Sequence, residues 1–265
     1  MSALGRIARS YLLGWDITLG KTADPQAIQH FLDMVRPIET EHALIRLGGD
    51  ADGGYLIPDD LEGIDICFSP GVSTIATFEE DLAARGIRCF LADASVSAPP
   101  VQNAFFDFEP KYLGPVTGGQ FISLDDWVKL KAPDQTEFIL QMDIESAEYG
   151  VLLATSRETL RKFRIMTIEF HRISSIYDRV GLDLISLAFT KVLQDFDVVH
   201  IHPNNRIQPV KYKHFEAPPL LEFTFLRKDR ITNRRPATEF PHPLDRTNVA
   251  KRPDFALPRC WYQAA

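Results

Sequence analysis

The chain alternates two hydrophobic patterns along its length. Short continuous apolar runs are typical of strands buried on both faces of a parallel sheet, whereas apolar residues that recur every three or four positions are typical of amphipathic helices. Strands are predicted at residues 64–69, 87–92, 105–108, 138–142, 164–171, 198–202 and 220–226. A first helix is predicted to begin at Asp24. Further helices are predicted at residues 74–85, 123–130, 147–163 with a break near Thr155, and 182–196.

This order predicts an α/β fold built on one seven-stranded, mostly parallel sheet. Strands that alternate with helices of this length are joined by right-handed crossovers. The last two predicted strands have no helical pattern between them, so we expect the final strand to run antiparallel. The predicted organisation is an N-terminal helical extension at 1–45, a core domain at 46–228, and an irregular tail at 229–265 that packs on the core.

Three carboxylates follow the fourth predicted strand. The apolar run 138–142 leads directly into Asp143, Glu145 and Glu148. Open α/β sheets bind their ligands at the carboxyl ends of their strands. We therefore expect Asp143 and Glu145 to face a pocket rather than bulk water.

A second polar pair ends the fifth predicted strand. Glu169 and His171 lie two residues apart, so their side chains share one face of the strand. Beside Asp143 they could supply a general base, or hold a hard divalent cation such as Mg²⁺ with Asp143 and Glu169 as candidate ligands. A hydrogen-bonded polar rim is the alternative interpretation.

Two histidines repeat this spacing one strand later. His200 and His202 are followed by Pro203, Asn204 and Asn205. A pair of histidines on a strand more often makes hydrogen bonds within the fold than binds a metal. The segment 203–205 that follows nevertheless favours a pocket role for His202.

The first predicted strand, turn and helix have the layout of a mononucleotide-binding half. The turn 69–73 contains Gly71, and Asp93 ends the second strand 22 residues later. In this layout the turn lets the backbone approach a ligand, and the acid accepts hydrogen bonds from ribose hydroxyls. The turn has one glycine where dinucleotide-binding enzymes have three, so an ordinary tight connection with a solvated aspartate stays open.

The composition of the chain limits the kinds of binding partner that it can have. The chain has 265 residues, 45% of them hydrophobic, which suffices for a sizeable core. Its formal net charge of -7 and pI of about 5.5 argue against nucleic acid as the main partner. The apolar run 11–15 is too short for a spanning helix and lacks a signal-peptide core, so we expect no membrane partner. The three cysteines have no metal-ligand spacing, which suits the cytoplasm.

Read together, these segments resemble the FkbM-type methyltransferases, a branch of the class I S-adenosylmethionine-dependent enzymes. The carboxylate segment is the most specific match, and the tail segment 241–245 with Asn248 also resembles the family. Two serines depart from it, Ser146 and Ser73, at positions where glycine is usual or common. The matching core segments follow the family's order: 52–55 (DGGY), 68–73 (FSPGVS), 124–127 (LDDW), 142–148 (MDIESAE), 168–171 (IEFH) and 200–205 (HIHPNN).

The resemblance implies a Rossmann-like class I methyltransferase fold and S-adenosylmethionine as the methyl donor. Gly71 and its neighbours would face the methionine part, Asp93 would hold the ribose hydroxyls, and Asp107 or its neighbours could approach the adenine. Consecutive glycines before Tyr55 either shape a turn or let the backbone approach a ligand, and the Tyr55 ring could attract the sulfonium. The implied cofactor-binding residues are Gly53, Gly54, Tyr55, Ser69, Gly71, Ser73, Asp93, Ala94, Asp107 and Asp143.

The implied reaction is O-methylation of a hydroxyl on a small-molecule acceptor, such as a sugar or a polyketide-like metabolite. A side-chain base or a bound Mg²⁺ could activate that hydroxyl. A nicotinamide-dependent oxidoreductase is one alternative, although the sequence lacks its three-glycine turn and its Tyr-x-x-x-Lys pair. A degenerate methyltransferase that only binds a ligand or partner is another. The candidate catalytic residues are Asp143, Glu145, Glu169, His171 and His202.

Overall fold

The computed structural model describes residues 20–264, so residues 1–19 of the predicted N-terminal extension lie outside it. Within that range, none of the helices has the length and apolarity that a membrane-crossing helix needs. The strands are β1 (Ile38–Glu39), β2 (Leu44–Leu47), β3 (Tyr55–Pro58), β4 (Ile66–Pro70), β5 (Arg88–Ala92), β6 (Phe106–Glu109), β7 (Tyr112–Leu113), β8 (Phe121–Ile122), β9 (Phe138–Met142), β10 (Phe163–His171), β11 (Phe196–Pro203), β12 (Val210–Tyr212), β13 (Phe215–Ala217), β14 (Leu220–Arg227) and β15 (Arg235–Pro236). The α-helices are α1 (Pro25–Met34), α2 (Thr77–Ala84), α3 (Leu124–Lys131), α4 (Glu148–Ala154), α5 (Arg157–Leu160) and α6 (Arg179–Val192).

The central sheet of the described residues has seven strands in the order β6-β5-β4-β9-β10-β14-β11. From β6 to β10 all neighbours pair parallel, and β14 runs antiparallel between β10 and β11. The predicted Rossmann-like α/β fold, with a mostly parallel sheet and an antiparallel last strand, is confirmed. The strand order reverses between β4 and β9. Strands β5 and β6 follow β4 on one side, and β10, β14 and β11 lie beyond β9 on the other side.

The core divides between the two faces of this sheet, because neighbouring residues of a strand point to opposite faces. On β4, Phe68 belongs to the larger hydrophobic cluster, which also contains Trp127 of α3 and Phe189 of α6. Cys67 belongs to the smaller cluster, which contains Phe78 of α2 and residues of the β2–β3 hairpin. Both faces of the central strands are therefore covered, as the continuous apolar runs predicted.

Helix boundaries follow local capping groups. Asp24 and Ser123 accept hydrogen bonds from the first turns of α1 and α3, and the break predicted near Thr155 separates α4 from α5. The helix predicted at 182–196 begins earlier, at Arg179, because the Asp178 carboxylate accepts from the backbone of the first turn. It ends at Val192, since β11 already begins at residue 196.

Both ends of the described chain lie against the core. Strand β1 pairs with β15 of the tail, and Trp261 near the end is fully buried between Phe31 and Phe223. The boundary predicted at residue 46 falls inside β2, which pairs with β3 and packs on the smaller cluster.

The turn after β4 brings three strand ends together at Gly71. This residue has a φ of +91°, and a Cβ placed there would lie 1.6 Å from the carbonyl oxygen of Asp143. Its backbone N–H donates to Ala92 at the end of β5 at 2.9 Å, while Asp143 N–H donates to the Pro70 carbonyl at 3.3 Å. Glycine is needed here both for its backbone conformation and for the close approach.

We predict that Gly71→Ala lowers the free energy of unfolding more than Gly86→Ala does. Gly86 has a similar φ of +82°, but a Cβ there meets no atom within 4 Å. Both variants lose about 1–2 kcal/mol to the left-handed backbone, and the clash with Asp143 adds about 1–3 kcal/mol at position 71 alone. Urea unfolding followed by circular dichroism measures the difference, and equal losses would contradict the close approach.

Candidate functional site

A cavity of about 520 Å³ lies over the carboxyl ends of β4, β5 and β9. This is where the strand order reverses, the place at which open α/β sheets bind ligands, and its size is that of a small-molecule site. We call it the large cavity. It is lined by Gly71, Ser73, Ala92, Asp93, Ser95, Tyr112, Leu113, Phe121, Asp143, Ile144, Glu145 and Ala147.

Asp93 holds together the two loops that form one wall of this cavity. The residue is 5% exposed, and its carboxylate accepts hydrogen bonds from Ser73 N–H at 2.8 Å and from Ser95 N–H at 2.7 Å. Ser73 has a φ of +43°, which explains why glycine is common at this position in the family that the sequence resembles. A carboxylate has about four acceptor positions, so Asp93 keeps capacity for ligand hydroxyls.

A second, small cavity of about 250 Å³ adjoins the large one. It lies under the loop before β3, with Asp52, Gly53, Tyr55 and Arg206 in its wall. The two cavities share the lining residues Gly71, Ser73, Asp143 and Glu145. Asp143 thus lies between the two spaces. Glu145 borders both of them, but its side chain is 87% exposed, so it is open to bulk water and not enclosed by a pocket as the sequence predicted.

Asp143 has a half-buried carboxylate with one fully buried oxygen. Its Oδ1 is inaccessible to solvent and has no hydrogen-bond partner among residues 20–264. Burial raises the pKa of Asp143 to about 6, against the lowering effect of His171 3.8 Å away and with a raising effect from Glu145. A carboxyl group with such a pKa is ionised near neutral pH and is more basic than an exposed aspartate.

His171 is oriented by Glu148, whose role the sequence did not predict. The ring Nδ1 lies 3.1 Å from Glu148 Oε1, and Nε2 lies 3.3 Å from Glu145 Oε2. Burial lowers the pKa of His171, but the Glu148 hydrogen bond and the charges of Glu148, Asp143 and Glu145 outweigh it and raise the pKa above 6.5. The fully buried Glu148 also accepts from Ser146 N–H at 3.0 Å and so fixes the loop after β9.

That loop is held in a conformation which favours glycine. Glu145 has a φ of +53° and Ser146 a φ of +85°. Side chains rarely adopt this left-handed region, which gives a physical reason for the glycine found at position 146 in the family that the sequence resembles. The turn projects the Glu145 side chain toward His171.

Glu169 lies in a row of buried acids that continues across the sheet. In the register of the sheet, Glu222 on β14 is directly opposite Glu169 on β10. Burial and the charges of Asp143, Glu222 and Asp52 raise the pKa of Glu169 well above 4.5, and burial raises that of Glu222 to about 7. Asn204 Nδ2 donates to Glu169 at 3.3 Å and to Asp52 at 3.3 Å.

Two overlapping groups of oxygen and nitrogen atoms in this row are close enough to share a cation. One comprises Asp143, Glu169 and His171, and the other comprises Asp52, Glu169 and Glu222. In each group the ligand atoms lie within 4.8 Å of one another. Carboxylate oxygens suit Mg²⁺, and the partnerless Oδ1 of Asp143 fits such a use.

Several predicted site residues lie elsewhere. His202 on β11 contacts Asp245 and Asn248 of the tail, and Asp107 forms an ion pair with Lys131 at 2.9 Å. Ser69 is buried, and its hydroxyl lies within hydrogen-bond distance of Glu79 and Gln141 on the side of α2. None of these three lines either cavity; Ala94 and Gly54 do not line them either.

The outer wall of the large cavity was not predicted. It is formed by Tyr112 and Leu113 of β7 and by Phe121 of β8. The Tyr112 and Phe121 rings are 39% and 46% exposed, and their centroids are 5.8 Å apart. Two strands of two residues each give no periodicity to detect, but the aromatic residues Tyr112 and Phe121 in the polar, glycine-bearing segment after β6 were an available signal.

No family model and no curated protein matches this chain. Among solved structures it is similar to a candidate RNA methyltransferase of Pyrococcus horikoshii, with 10% identity, a TM-score of 0.34, and coverage of 61% of this chain and 74% of that chain. It is also similar to a TehB-like S-adenosylmethionine-dependent methyltransferase of Corynebacterium glutamicum (10% identity, TM-score 0.33, 84% and 97% coverage).

A third similar structure is a candidate hemolysin of Streptococcus thermophilus, with 9% identity, a TM-score of 0.37 and coverage of 63% of this chain. The match spans 60% of that protein's length, which is less than two thirds. Similarities of this size carry no assignment of function.

We predict that the free energy of unfolding falls as pH rises from 4.5 to about 7, and that Glu222→Gln flattens this dependence. The folded-state pKa of Glu222 is raised from 4.5 to about 7, so its stabilising effect is complete below pH 4.5 and is lost as pH rises through about 7. Asp143, whose pKa is raised to about 6, has the same sign. The Glu222 contribution should be about 1–3 kcal/mol.

Urea unfolding across this pH range measures the slope. Glu158→Gln, at an exposed position of α5, serves as the control and should keep the slope of the unsubstituted protein. A Glu222→Gln slope that equals that of the control would contradict the raised pKa.

Proposed function

We propose that this chain is an S-adenosylmethionine-dependent methyltransferase of the FkbM type that methylates a hydroxyl group on a small polar acceptor. The observation that carries the proposal is the position of Asp143. It ends β9 at the reversal of strand order and lines both cavities, and its buried Oδ1 has no partner in the described structure. A residue so placed can contact both a cofactor in one cavity and an acceptor in the other.

The large cavity suits the three parts of S-adenosylmethionine. The turn after β4, with Gly71 in the cavity wall, can face the methionine part, and the Asp93 carboxylate can accept from the ribose hydroxyls. The exposed faces of Tyr112 and Phe121 offer a stacking surface for the adenine. The acidic surroundings of Asp143 suit the positive charge of the sulfonium.

The chemistry needs alignment and a proton acceptor. When bound, S-adenosylmethionine supplies a methyl group on a sulfonium, whose transfer forms an O–C bond, breaks the S–C bond and releases the hydroxyl proton. Holding donor and acceptor in line accounts for much of the acceleration. Asp143 takes the proton on its carboxylate, since its pKa of about 6 leaves it ionised yet basic. His171, held by Glu148, stays beside it and limits the repulsion from Glu145.

The small cavity favours an acceptor that carries several polar groups. Asp52, Glu145 and Arg206 line it, and Asn204 lies behind Asp52. Carboxylates and amides are suitable partners for sugar-like hydroxyls. In a second role, Asp143 and Glu169 would hold a divalent cation, and this metal would polarise the acceptor hydroxyl.

We predict that S-adenosylmethionine and S-adenosylhomocysteine bind at about one per chain in calorimetric titrations, whereas NAD does not bind. Asp93→Ala should weaken binding at least tenfold, about 1.4 kcal/mol, because it removes the ribose acceptor and loosens the loops at Ser73 and Ser95. Asp107→Ala is the matched control, since Asp107 lies outside both cavities.

The three titrations separate the classes of function. Binding of NAD with no binding of the sulfur nucleotides would indicate an oxidoreductase. No binding of any of the three would indicate a degenerate protein.

We predict that Asp143→Asn lowers kcat about 10²–10⁴-fold and changes the S-adenosylmethionine Kd little. The rate is followed as S-adenosylhomocysteine release with an acceptor selected from a panel of hydroxylated small molecules. In the unsubstituted protein, kcat should rise with pH through about 6 and then level off. Asp107→Asn is the control.

An unchanged rate in Asp143→Asn would remove this residue from the mechanism. A parallel assay with EDTA, followed by added Mg²⁺, tests the cation. Loss and recovery of activity would assign the acids to metal binding, whereas an EDTA-resistant rate would leave Asp143 as the base.

A further inference from the structure

A second cluster of chemically reactive side chains lies between β11 and the tail. His200 and His202 stand two residues apart on β11, so both rings lie on the same face of the strand. Asp245 of the tail reaches them from a position 45 residues beyond His200. The side chains of all three residues are at least nine-tenths buried.

The ligand atoms of these residues converge on one point. His200 Nε2 lies 2.8 Å and His202 Nδ1 lies 3.4 Å from the same oxygen, Asp245 Oδ1. One ligand atom from each of the three residues lies within 4.8 Å of the other two. The other oxygen, Oδ2, accepts from His242 N–H at 2.8 Å and so holds the carboxylate in place.

Asn248 determines which nitrogen of His202 carries a hydrogen. Its Nδ2 donates to Glu222 at 2.6 Å and points toward Asp52 at 3.3 Å, so its Oδ1 faces His202 and accepts from Nε2 at 3.1 Å. The lone-pair nitrogen Nδ1 then faces Asp245, where it is buried without a hydrogen-bond partner in the described chain. A lone pair against a carboxylate oxygen is repulsive, so a proton or a cation has to lie between them.

We propose that His200, His202 and Asp245 bind a divalent transition-metal ion of the Zn²⁺ type. Two imidazoles and one carboxylate are the donor set of many Zn²⁺ and Fe²⁺ sites, and Asn248 supplies the outer hydrogen bond that such histidines require. Ligand atoms on one Zn²⁺ at about 2.0–2.1 Å lie roughly 3.4 Å apart in tetrahedral geometry. The 3.4 Å separation already meets this, and the 2.8 Å separation needs a small movement of His200.

An ion at this site would keep a coordination position that no protein atom occupies. His202 and Asp245 line a cavity of about 520 Å³ that is formed mostly by tail residues, with Arg246 and Thr247 among them. Three protein ligands leave at least one coordination position free, and the cavity beside His202 and Asp245 has room for the group that would fill it. The site is therefore suited to an ion that also binds water or an oxygen of a small molecule. It lies apart from Asp143, because β14 with Glu222 separates β11 from β10.

Cobalt titration of the untagged protein tests the proposal. Co²⁺ replaces Zn²⁺ in such sites, and its visible absorption reports nitrogen and oxygen ligands. We expect about one Co²⁺ per chain, displaceable by Zn²⁺, and a higher melting temperature with Zn²⁺. His200→Gln and Asp245→Asn should each weaken binding at least tenfold. Asp245→Asn retains an acceptor for His242 N–H, so the tail can keep its fold, which circular dichroism checks.

Two further variants separate this site from other histidines and acids. His30→Gln removes an exposed histidine of α1, and Glu158→Gln removes an exposed acid of α5. Both should bind Co²⁺ as the unsubstituted protein does. Absence of Co²⁺ and Zn²⁺ binding to the unsubstituted protein would overturn the proposal and identify the cluster as an imidazolium–carboxylate pair. Binding that survives both His200→Gln and Asp245→Asn would overturn it equally. Neither result depends on whether S-adenosylmethionine binds.

Discussion

The contact between Gly71 and the carbonyl of Asp143 determines where everything else in the site can lie. No side chain fits at position 71, since a Cβ would stand 1.6 Å from that oxygen. The turn after β4 therefore rests directly on the end of β9, and the Gly71 N–H ties the same turn to β5. With three strand ends in contact, the space for a ligand opens above them, and Asp143 is placed at its floor between the large and small cavities.

The second constraint is electrostatic. Asp143, Glu169 and Glu222 are crowded onto neighbouring strands with little water, so burial raises the pKa of each. The repulsion is relieved by His171 on one side and by the amides of Asn204 and Asn248 on the other. A ligand that brings positive charge to this edge would be stabilised by the same acids that cost stability without it. This favours a sulfonium or a metal ion over an anionic cofactor.

The sequence predicted what short-range patterns determine. Continuous apolar runs predict the seven strands, and the polar residues at the ends of β9 and β10 are correctly predicted to lie at one edge of the sheet. Sequence patterns do not predict contacts between segments that lie far apart in the chain. The role of Glu148 depends on the loop conformation at Ser146, and the pairing of Asp245 with His200 joins residues that no local pattern connects. Asp107 or its neighbours were expected near the adenine; Asp107 pairs with Lys131 of α3 and does not line the large cavity.

Glu222 links the row of acids to the histidine cluster, although the two are separate sites. On β14 it is paired in register with Glu169 of β10 on one side and with His202 of β11 on the other. Asn248 donates to Glu222 and accepts from His202, so one tail residue joins both neighbours. A cation at His202 would therefore favour the ionised form of Glu222, and an ionised Glu222 would in turn favour a proton on Glu169. The tail is thus more than a covering segment, because it fixes the charge balance at the edge of the sheet.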